Sequence, residues 1–347
     1  MRFLAVLTVR NEGAFLLEWL AHHRAVGFTD FLVFSNDCDD GTDAMLDRLQ
    51  DLGHLTHLPN PGPHEGGVQF TALKAADKHP LVKAADWIIA FDIDEFVNIH
   101  TGDHTLPALV KALPDATAIA LTWRLFGNDG VVQYEDRPVT EQFTKAAPRI
   151  LHWPWRAAMF KTLYRNDGAY RKLGVHRPRS PDETKLTGVR WFDGSGRPLG
   201  DLYLKQKVFT PFGRDNYGLV QLNHYPLGAM ESFILKRDRG RVNRSDQDTG
   251  MSYWTERNWC IEEDLTIAAL APARDAEREA LRADRQLRAL HEKAVQWRHD
   301  RFALLMQEEA NRGLLGRLLM TPPARPIPAK DVSLLYKFAQ SAPSDPD

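Results

Sequence analysis

Apolar and polar positions follow one another along this chain in two rhythms. Phe3 to Val9 are apolar almost without a break, and the run stops at Arg10-Asn11-Glu12. A short continuous apolar segment ended by polar residues reads as a strand buried on both faces. Over residues 13–26 the period lengthens, and Phe15, Leu16, Trp19, Leu20 and His23 fall on one face of a helix. Asn11 is placed to cap that helix and Gly27 to end it. The pair of signals then repeats. A strand at Phe31-Leu32-Val33-Phe34 precedes a helix over 42–52 closed by Gly53, and a short strand near 54–58 precedes a helix near 68–79. A strand over 86–91, a helix near 105–113 and an apolar strand from Ala116 to Trp123 follow. Strands alternating with helices predict an α/β fold with a mainly parallel sheet and helices on both faces. In such sheets ligands bind at the carboxyl ends of the strands.

Beyond residue 125 the pattern turns irregular, with Trp153, Trp155, Trp191, His152, His176, His224 and many prolines. This mixed, loop-rich half is expected to build one wall of a cleft. From Ala271 to Leu315 the chain is rich in Ala, Arg, Glu and Leu, the pattern of solvated helices packing by a narrow apolar stripe. A proline-rich connector over 321–328 leads to a Ser/Pro/Asp end expected to be disordered. The expected division is one domain over 1–265, in halves 1–125 and 126–265, then a helical extension over 266–320 and a connector and tail over 321–347. No internal repeat is visible.

Composition narrows the class. The 347 residues are 43% hydrophobic and 26% charged, as in an ordinary soluble domain. A formal net charge of −2 speaks against a nucleic-acid-coating protein. Two cysteines, Cys38 and Cys260, give no disulfide framework, so a reducing, cytoplasmic location is expected. No apolar run approaches the roughly 20 residues of a membrane span, and the N-terminal run lacks a small-residue cleavage site and reads as a strand.

The chemistry-bearing residues cluster at strand exits. Trp87-Ile88-Ile89-Ala90-Phe91 runs straight into Asp92-Ile93-Asp94-Glu95. In extended backbone, residues i and i+2 project to the same side, so Asp92 and Asp94 together offer oxygen ligands to a hard cation, Mg²⁺ or Mn²⁺. The plain alternative is a solvated Asp-rich turn. Arg10-Asn11-Glu12 and Asn36-Asp37-Cys38-Asp39-Asp40 occupy two further strand exits on the same predicted edge. Read as a calcium loop, the second cluster puts Cys38 and Asp47 at ligand positions, which excludes it. Asp40 or Thr42 suits a helix cap, and the remaining acids suit hydrogen bonds to a ribose or a base edge. Arg10 suits a phosphate or pyrophosphate, and equally a salt bridge to Glu12 or a nearby Asp. Neither a Walker-A loop nor a Gly-x-Gly-x-x-Gly turn is present. His224 and His176 each read either as hydrogen-bonded core histidines or as ligands completing a Mn²⁺ shell. The basic run from Lys236 to Arg244 is a solvated helix face, a counter-charge for a leaving diphosphate or a site for an acidic acceptor. Glu262-Glu263-Asp264, after Tyr253, Trp254 and Trp259, reads as a charged helix start or as an acceptor site with a general base. Asn60–Gly67 and the loops near 210–218 are ordinary surface loops or lids.

Val9-Arg10-Asn11-Glu12, Leu17-Glu18-Trp19, His22-His23, Gly27-Phe28, the acidic turn Asn36–Thr42, Phe91–Phe96, Phe126-Gly127 and Asn223-His224-Tyr225-Pro226 with Phe233 and Lys236 occur in one order over roughly residues 1–265. In that order they resemble a bacterial family 2-type glycosyltransferase of the GT-A fold, in the subgroup related to family 92. The resemblance implies transfer of a sugar, a hexose in the usual case, from a nucleotide-diphosphate donor to the hydroxyl of a glycan or lipid-linked acceptor, in cell-surface polysaccharide or glycoconjugate synthesis. It implies that Arg10, Asn11, Glu12, Asp37, Asp39, Asp92 and Lys236 contact the nucleotide sugar. It also implies that Asp92, Asp94 and His224 hold Mn²⁺ or Mg²⁺, with Asp94 the direct ligand. For the base that deprotonates the acceptor it implies Asp264, with Asp129 or Glu263 behind it. The acidic turn departs from the Asp-Asp-Gly-Ser form. The C-terminal helices match nothing diagnostic; docking on the domain, self-association and peripheral membrane contact stay open for them. Two other classes stay open: a non-catalytic carbohydrate-binding protein, and a metal-dependent nucleotidyltransferase or hydrolase on the same fold.

Overall fold

A computed structural model describes residues 1–64, 66–239 and 250–341. Glu65, the Gly240–Arg244 part of the basic run and the last six residues of the tail therefore lie outside the described residues.

The first half alternates as the hydrophobic pattern requires. Strand β1 (Phe3–Val9) leads to α1 (Gly13–Val26), β2 (Asp30–Ser35) to α2 (Thr42–Asp51), and β3 (Thr56–Pro59) to α3 (Val68–Ala76) and the short α4 (Pro80–Ala84). Then come β4 (Trp87–Phe91), β5 (Glu95–Ile99), α5 (Leu106–Ala112) and β6 (Ala118–Leu125). The second half adds α6 (Val139–Gln142), β7 (Lys145–Ala146), β8 (Phe160–Arg165), β9 (Tyr170–Lys172), β10 (Arg179–Pro181), β11 (Trp191–Asp193) and β12 (Pro198–Leu199). After α7 (Leu202–Lys205) and β13 (Val220–His224) come α8 (Met230–Asp238), α9 (Met251–Arg257) and β14 (Glu262–Glu263). Four helices close the described chain: α10 (Ala271–Arg282), α11 (Arg285–Leu305), α12 (Glu309–Met320) and α13 (Ala329–Ser341).

The main sheet runs β12-β11-β6-β8-β4-β1-β2-β3, and β13 joins it by pairing with both β5 and β6. Strands β4, β1, β2 and β3 are parallel, whereas β8 inserts antiparallel between β4 and β6. The registers Leu7↔Phe91 and Val9↔Ser35 bring the exits of β1, β2 and β4 to one edge, as the sequence predicts. Alternate residues of β1 feed two cores. Phe3, Ala5, Leu7 and Val9 pack under α1, α2 and α5, and Leu4 and Val6 pack toward α3. Both faces are thus covered, which is why the strand reads as unbroken apolar sequence.

Helix α1 departs from the expected one-sided packing. Leu16, Leu17, Trp19, Leu20 and Ala21 are all buried, because α10 and α11 cover the side that the sheet leaves open. Nor does Asn11 cap it. The Asp40 carboxylate, arriving from the β2 exit, accepts from the Gly13 amide at 2.9 Å and, through its other oxygen, from the Thr42 amide at 2.9 Å and hydroxyl at 2.6 Å. One buried acid thereby caps α1 and steadies the start of α2.

Candidate active site

A cleft of about 650 Å³ opens at the predicted sheet edge. Its floor is the β1 exit with Arg10 and Glu12 and the β4 exit with Asp92, Ile93 and Asp94; Trp123, His176, His224, Lys236, Arg239, Tyr253 and Arg257 form the walls. Gly66 and Gly67 from the predicted lid segment and Gln69 at the start of α3 complete one side.

The two aspartates project into this cleft but have different partners. Asp92 accepts from the Gln69 amide at 2.9 Å and pairs with the Lys161 ammonium at 3.0 Å. Lys161 stands on the inserted strand β8 and is almost wholly buried. Burial opposes its charge, and Asp92 and Glu95 outweigh burial and raise its pKa. Asp94 pairs with Lys236 from α8 at 2.6 Å and faces the His224 Nε2 at 3.7 Å. Burial works to raise the Asp94 carboxyl, but Lys236 and His224 hold it well below the usual range, so it is an anion. The sheet explains the encounter: β13 runs between β5 and β6 with His224 opposite Glu95, and the Tyr225 amide donates to the Asp94 carbonyl at 2.8 Å.

Glu95 turns the other way. It begins β5, is fully buried, accepts from the Trp123 indole at 2.6 Å and from the Asp92 amide at 2.9 Å, and is pushed up to about 8 by burial. The last acid of the triplet therefore braces the loop from beneath and offers no ligand to the cleft. His176 lines the cleft as a neutral ring, its pKa lowered to about 4 by burial; it bonds through Nδ1 to the Phe160 carbonyl at 3.1 Å.

Arg10 and Arg239 clasp each other's backbone: Arg10 donates to the Arg239 carbonyl at 3.1 Å and Arg239 to the Arg10 carbonyl at 2.6 Å. Arg239 also forms an ion pair with Glu12. Asn11, at φ 53°, accepts through its side-chain Oδ1 from the Asp39 backbone amide at 2.7 Å, which ties the first two strand exits together.

Several predicted residues stand elsewhere. Asp37 and Asp39 are exposed and absent from the cleft wall, because the φ of 45° at Asp37 turns the loop outward. Asp264 is buried and saturated: it accepts from Gln221 at 2.9 Å and from the Thr266 hydroxyl at 2.6 Å and lies 3.5 Å from Arg124. Glu263 pairs β14 with β7, and Asp129 binds Lys145 at 2.9 Å. None of these three acids lines the cleft. Conversely, Lys161, Gln69, Trp123 and Arg257 reach the cleft or its acids without having been singled out. Of these Lys161 left a trace, a lone cation inside the run Met159-Phe160-Lys161-Thr162-Leu163.

For a metal the donor set is incomplete within the protein. Among the described residues no group of three or more His, Cys, Asp and Glu side chains is arranged to hold an ion. Asp94 and His224 do converge, a carboxylate and a neutral imidazole, whose pKa burial lowers; this is a donor pair that suits Mn²⁺. Among the described residues the buried His224 Nδ1 has no hydrogen-bond partner, and the ring is held by packing on Trp123. Among the described residues no helix is long and apolar enough to cross a membrane.

Comparison with known proteins places this geometry. The family described as glycosyltransferase family 92 matches residues 7–195, a span holding the end of β1, both cleft aspartates, Lys161 and His176. A glycosyltransferase family 92 protein of Ricinus communis is 25% identical over 142 residues, 39% of this chain and 25% of that protein. One of Oryza sativa subsp. japonica is 25% identical over 142 residues, 39% of this chain and 23% of its own length. The chain thus matches about a quarter of the length of these curated relatives. Among solved structures, S. aureus TarS in complex with UDP is 14% identical and covers 48% of this chain and 47% of its own, at a TM-score of 0.31. More than half of the sequence matches the family, and the chain belongs to glycosyltransferase family 92.

Proposed function

We propose that this chain transfers a sugar, a hexose, from a nucleotide-diphosphate donor to an acceptor hydroxyl, on a GT-A-type framework and with a divalent cation. The observation that carries the reading is the convergence of Asp94, His224 and Lys236 at the β4 exit, on the floor of a cleft large enough for a nucleotide sugar. Asp94 and His224 would hold Mn²⁺ or Mg²⁺ as a partial shell, the donor's diphosphate oxygens completing it. When bound, the cation supplies Lewis-acid neutralisation of the departing diphosphate.

The protein's own groups share that work. Lys236 lies against Asp94 on the same wall as Arg239, and Arg10 and Arg257 stand around the rim, so fixed positive charge surrounds the place where the leaving group gathers negative charge. Lys161 pairs with Asp92 and orients it as an acceptor for donor hydroxyls. With Asp264, Glu263 and Asp129 away from the cleft, Glu12 is, among the described residues, the remaining carboxylate on its wall beside the aspartate pair, and we assign it the role of base toward the acceptor. General-base assistance is worth on the order of 10²–10⁴ in rate. A glycan or lipid-linked acceptor on the cytoplasmic side, in cell-surface polysaccharide synthesis, is the setting this reading favours.

The test is thermal denaturation with UDP, GDP, CDP and their sugars, with and without Mn²⁺. A ligand at about 100 times its Kd adds roughly 2.7 kcal/mol, a shift of several degrees. A Mn²⁺-dependent shift with one nucleotide, lost in Asp94→Ala, is the expected result. A shift that Asp94→Ala leaves intact would remove Asp94 from the site. The absence of any shift favours the carbohydrate-binding alternative.

A further inference from the structure

Beside the cleft lies an aromatic surface that the donor chemistry does not use. Trp153 and Trp155 meet edge to face, with centroids 4.5 Å apart, and Trp155 is 37% exposed. Phe212, 40% exposed, stacks on Phe209 from the neighbouring loop. The two loops are joined. Arg149 pairs with Asp215 at 2.9 Å, and a side chain at Gly213 would lie 3.1 Å from the His152 ring. Large rings left open to solvent in a group need a reason, since burial of each is worth more than almost any other side chain.

Continuity with the cleft supplies one. Trp123 and Arg257, both on the cleft wall, also line a shallow pocket with Pro154, Arg156 and Glu256. The aromatic surface therefore begins where the cleft ends. Its edge carries hydrogen-bonding groups of both signs, Arg156 and Glu256, 3.8 Å apart. Rings flanked by a carboxylate and a guanidinium suit a pyranose, whose C–H face packs on an indole while its hydroxyls reach charged neighbours. An anionic bilayer fits less well. Arg149 pairs with Asp215, and Glu256 stands 3.8 Å from Arg156 and 3.3 Å from Arg257, so the cations here are engaged by carboxylates and are not presented as a free basic cluster.

We infer that Trp153, Trp155 and Phe212, edged by Arg156 and Glu256, bind the acceptor as an extended neutral oligosaccharide running out of the cleft over the Trp123–Arg257 wall. This rests on the glycosyltransferase reading of the cleft and names its acceptor class. The outer sugar units are held here while the terminal hydroxyl reaches the donor. The residues are positioning groups and touch no reacting atom.

The experiment is calorimetric titration of the full chain with cellohexaose, maltohexaose and chitohexaose, and with their monosaccharides. At least one hexasaccharide should bind and its monosaccharide should not. Trp155→Ala should weaken that binding about ten-fold or more, and Trp155→Phe should restore most of it. The Mn²⁺–nucleotide thermal shift, unchanged in both variants, serves as the check on folding and on the donor site. Failure of all three hexasaccharides to bind, or equal binding by Trp155→Ala, would overturn the inference. Nucleotide binding without saccharide binding sinks the platform alone. Saccharide binding at Trp155 without any nucleotide shift sinks the donor reading and leaves the platform standing.

Discussion

The ammonium of Lys161 is enclosed with two carboxylates in reach, Asp92 at 3.0 Å and Glu95 at 3.8 Å. Burial pushes Glu95 up to about 8, and Asp92 makes the closer of the two contacts to the ammonium. Lys161→Met removes the buried cation and leaves Asp92 facing a neutral hole. The expected loss is about 3 kcal/mol of stability, read from urea unfolding, together with weaker nucleotide binding. His22 and His23 act as a pair of a different kind. His22 Nε2 donates to the Val97 carbonyl at 2.8 Å, and His23 Nε2 accepts from the Val97 amide at 3.3 Å while its Nδ1 donates to the Trp19 carbonyl at 2.8 Å. That pattern needs the His23 ring neutral, and burial lowers both histidines, His22 from 6.5 to about 4. A lowered histidine means that the unfolded chain binds protons which the folded chain refuses. Stability therefore falls as pH drops from 6.5 toward 4, by roughly 3 kcal/mol from His22 alone. Urea midpoints at pH 7, 5.5 and 4.5 should show a shallower slope in His22→Gln than in the unsubstituted chain; parallel slopes would refute the assignment.

Elements meet at the strand exits, and Asp40 is the joint. It serves the first amide of α1 and the first of α2 at once, so Asp40→Ala should cost about 2–3 kcal/mol, twice an ordinary cap. Asp39→Ala, one residue earlier and exposed, should stay within about 0.5 kcal/mol. Chemical denaturation of the two variants checks the contrast. What the sequence could show at this scale follows from locality. Continuous apolar runs reveal β1, β2 and β4, and a parallel sheet then has to bring their exits to one edge. The direction of each acid is not local information. Asp37 and Asp39 look equivalent to Asp40 as letters, yet a single positive φ turns them to solvent while Asp40 goes inward. Strand β8 hides for a similar reason: Phe-Lys-Thr-Leu-Tyr-Arg carries a lysine at its second position, and insertion between β4 and β6 gives that charge its partners. The encounter of His224 with Asp94, separated by 130 positions, rests on β13 pairing with β5 and β6, which no window of sequence reports.

At the scale of the molecule, the C-terminal helices are joined to the sheet's own first helix. Arg24 binds Glu277 at 2.7 Å, Arg48 binds Asp284 at 2.6 Å, His291 binds Asp136 at 3.0 Å and Arg274 donates to the Thr140 hydroxyl at 2.6 Å. Under these polar ties Leu281, Leu287 and Ala294 belong to the same core as Leu16, Leu20 and Trp19. Arg298, stacked between Phe15 and Tyr134, extends the seam to the cleft's edge. Deleting residues 271–341 should therefore yield a chain that loses its cooperative melt and aggregates. A soluble fragment with a sharp transition would show the helices to be dispensable.

That seam also imposes a schedule. Helix α1 is made among the first residues, and its covering layer, α10, emerges only about 250 residues later. At ~5–20 residues per second the interval is on the order of 10–50 s, long against the microseconds in which a helix forms. Throughout it, the part of α1 that α10 covers stays open. A nascent chain of this design depends on shelter from a chaperone, and its soluble yield should fall as the time that α1 spends uncovered lengthens.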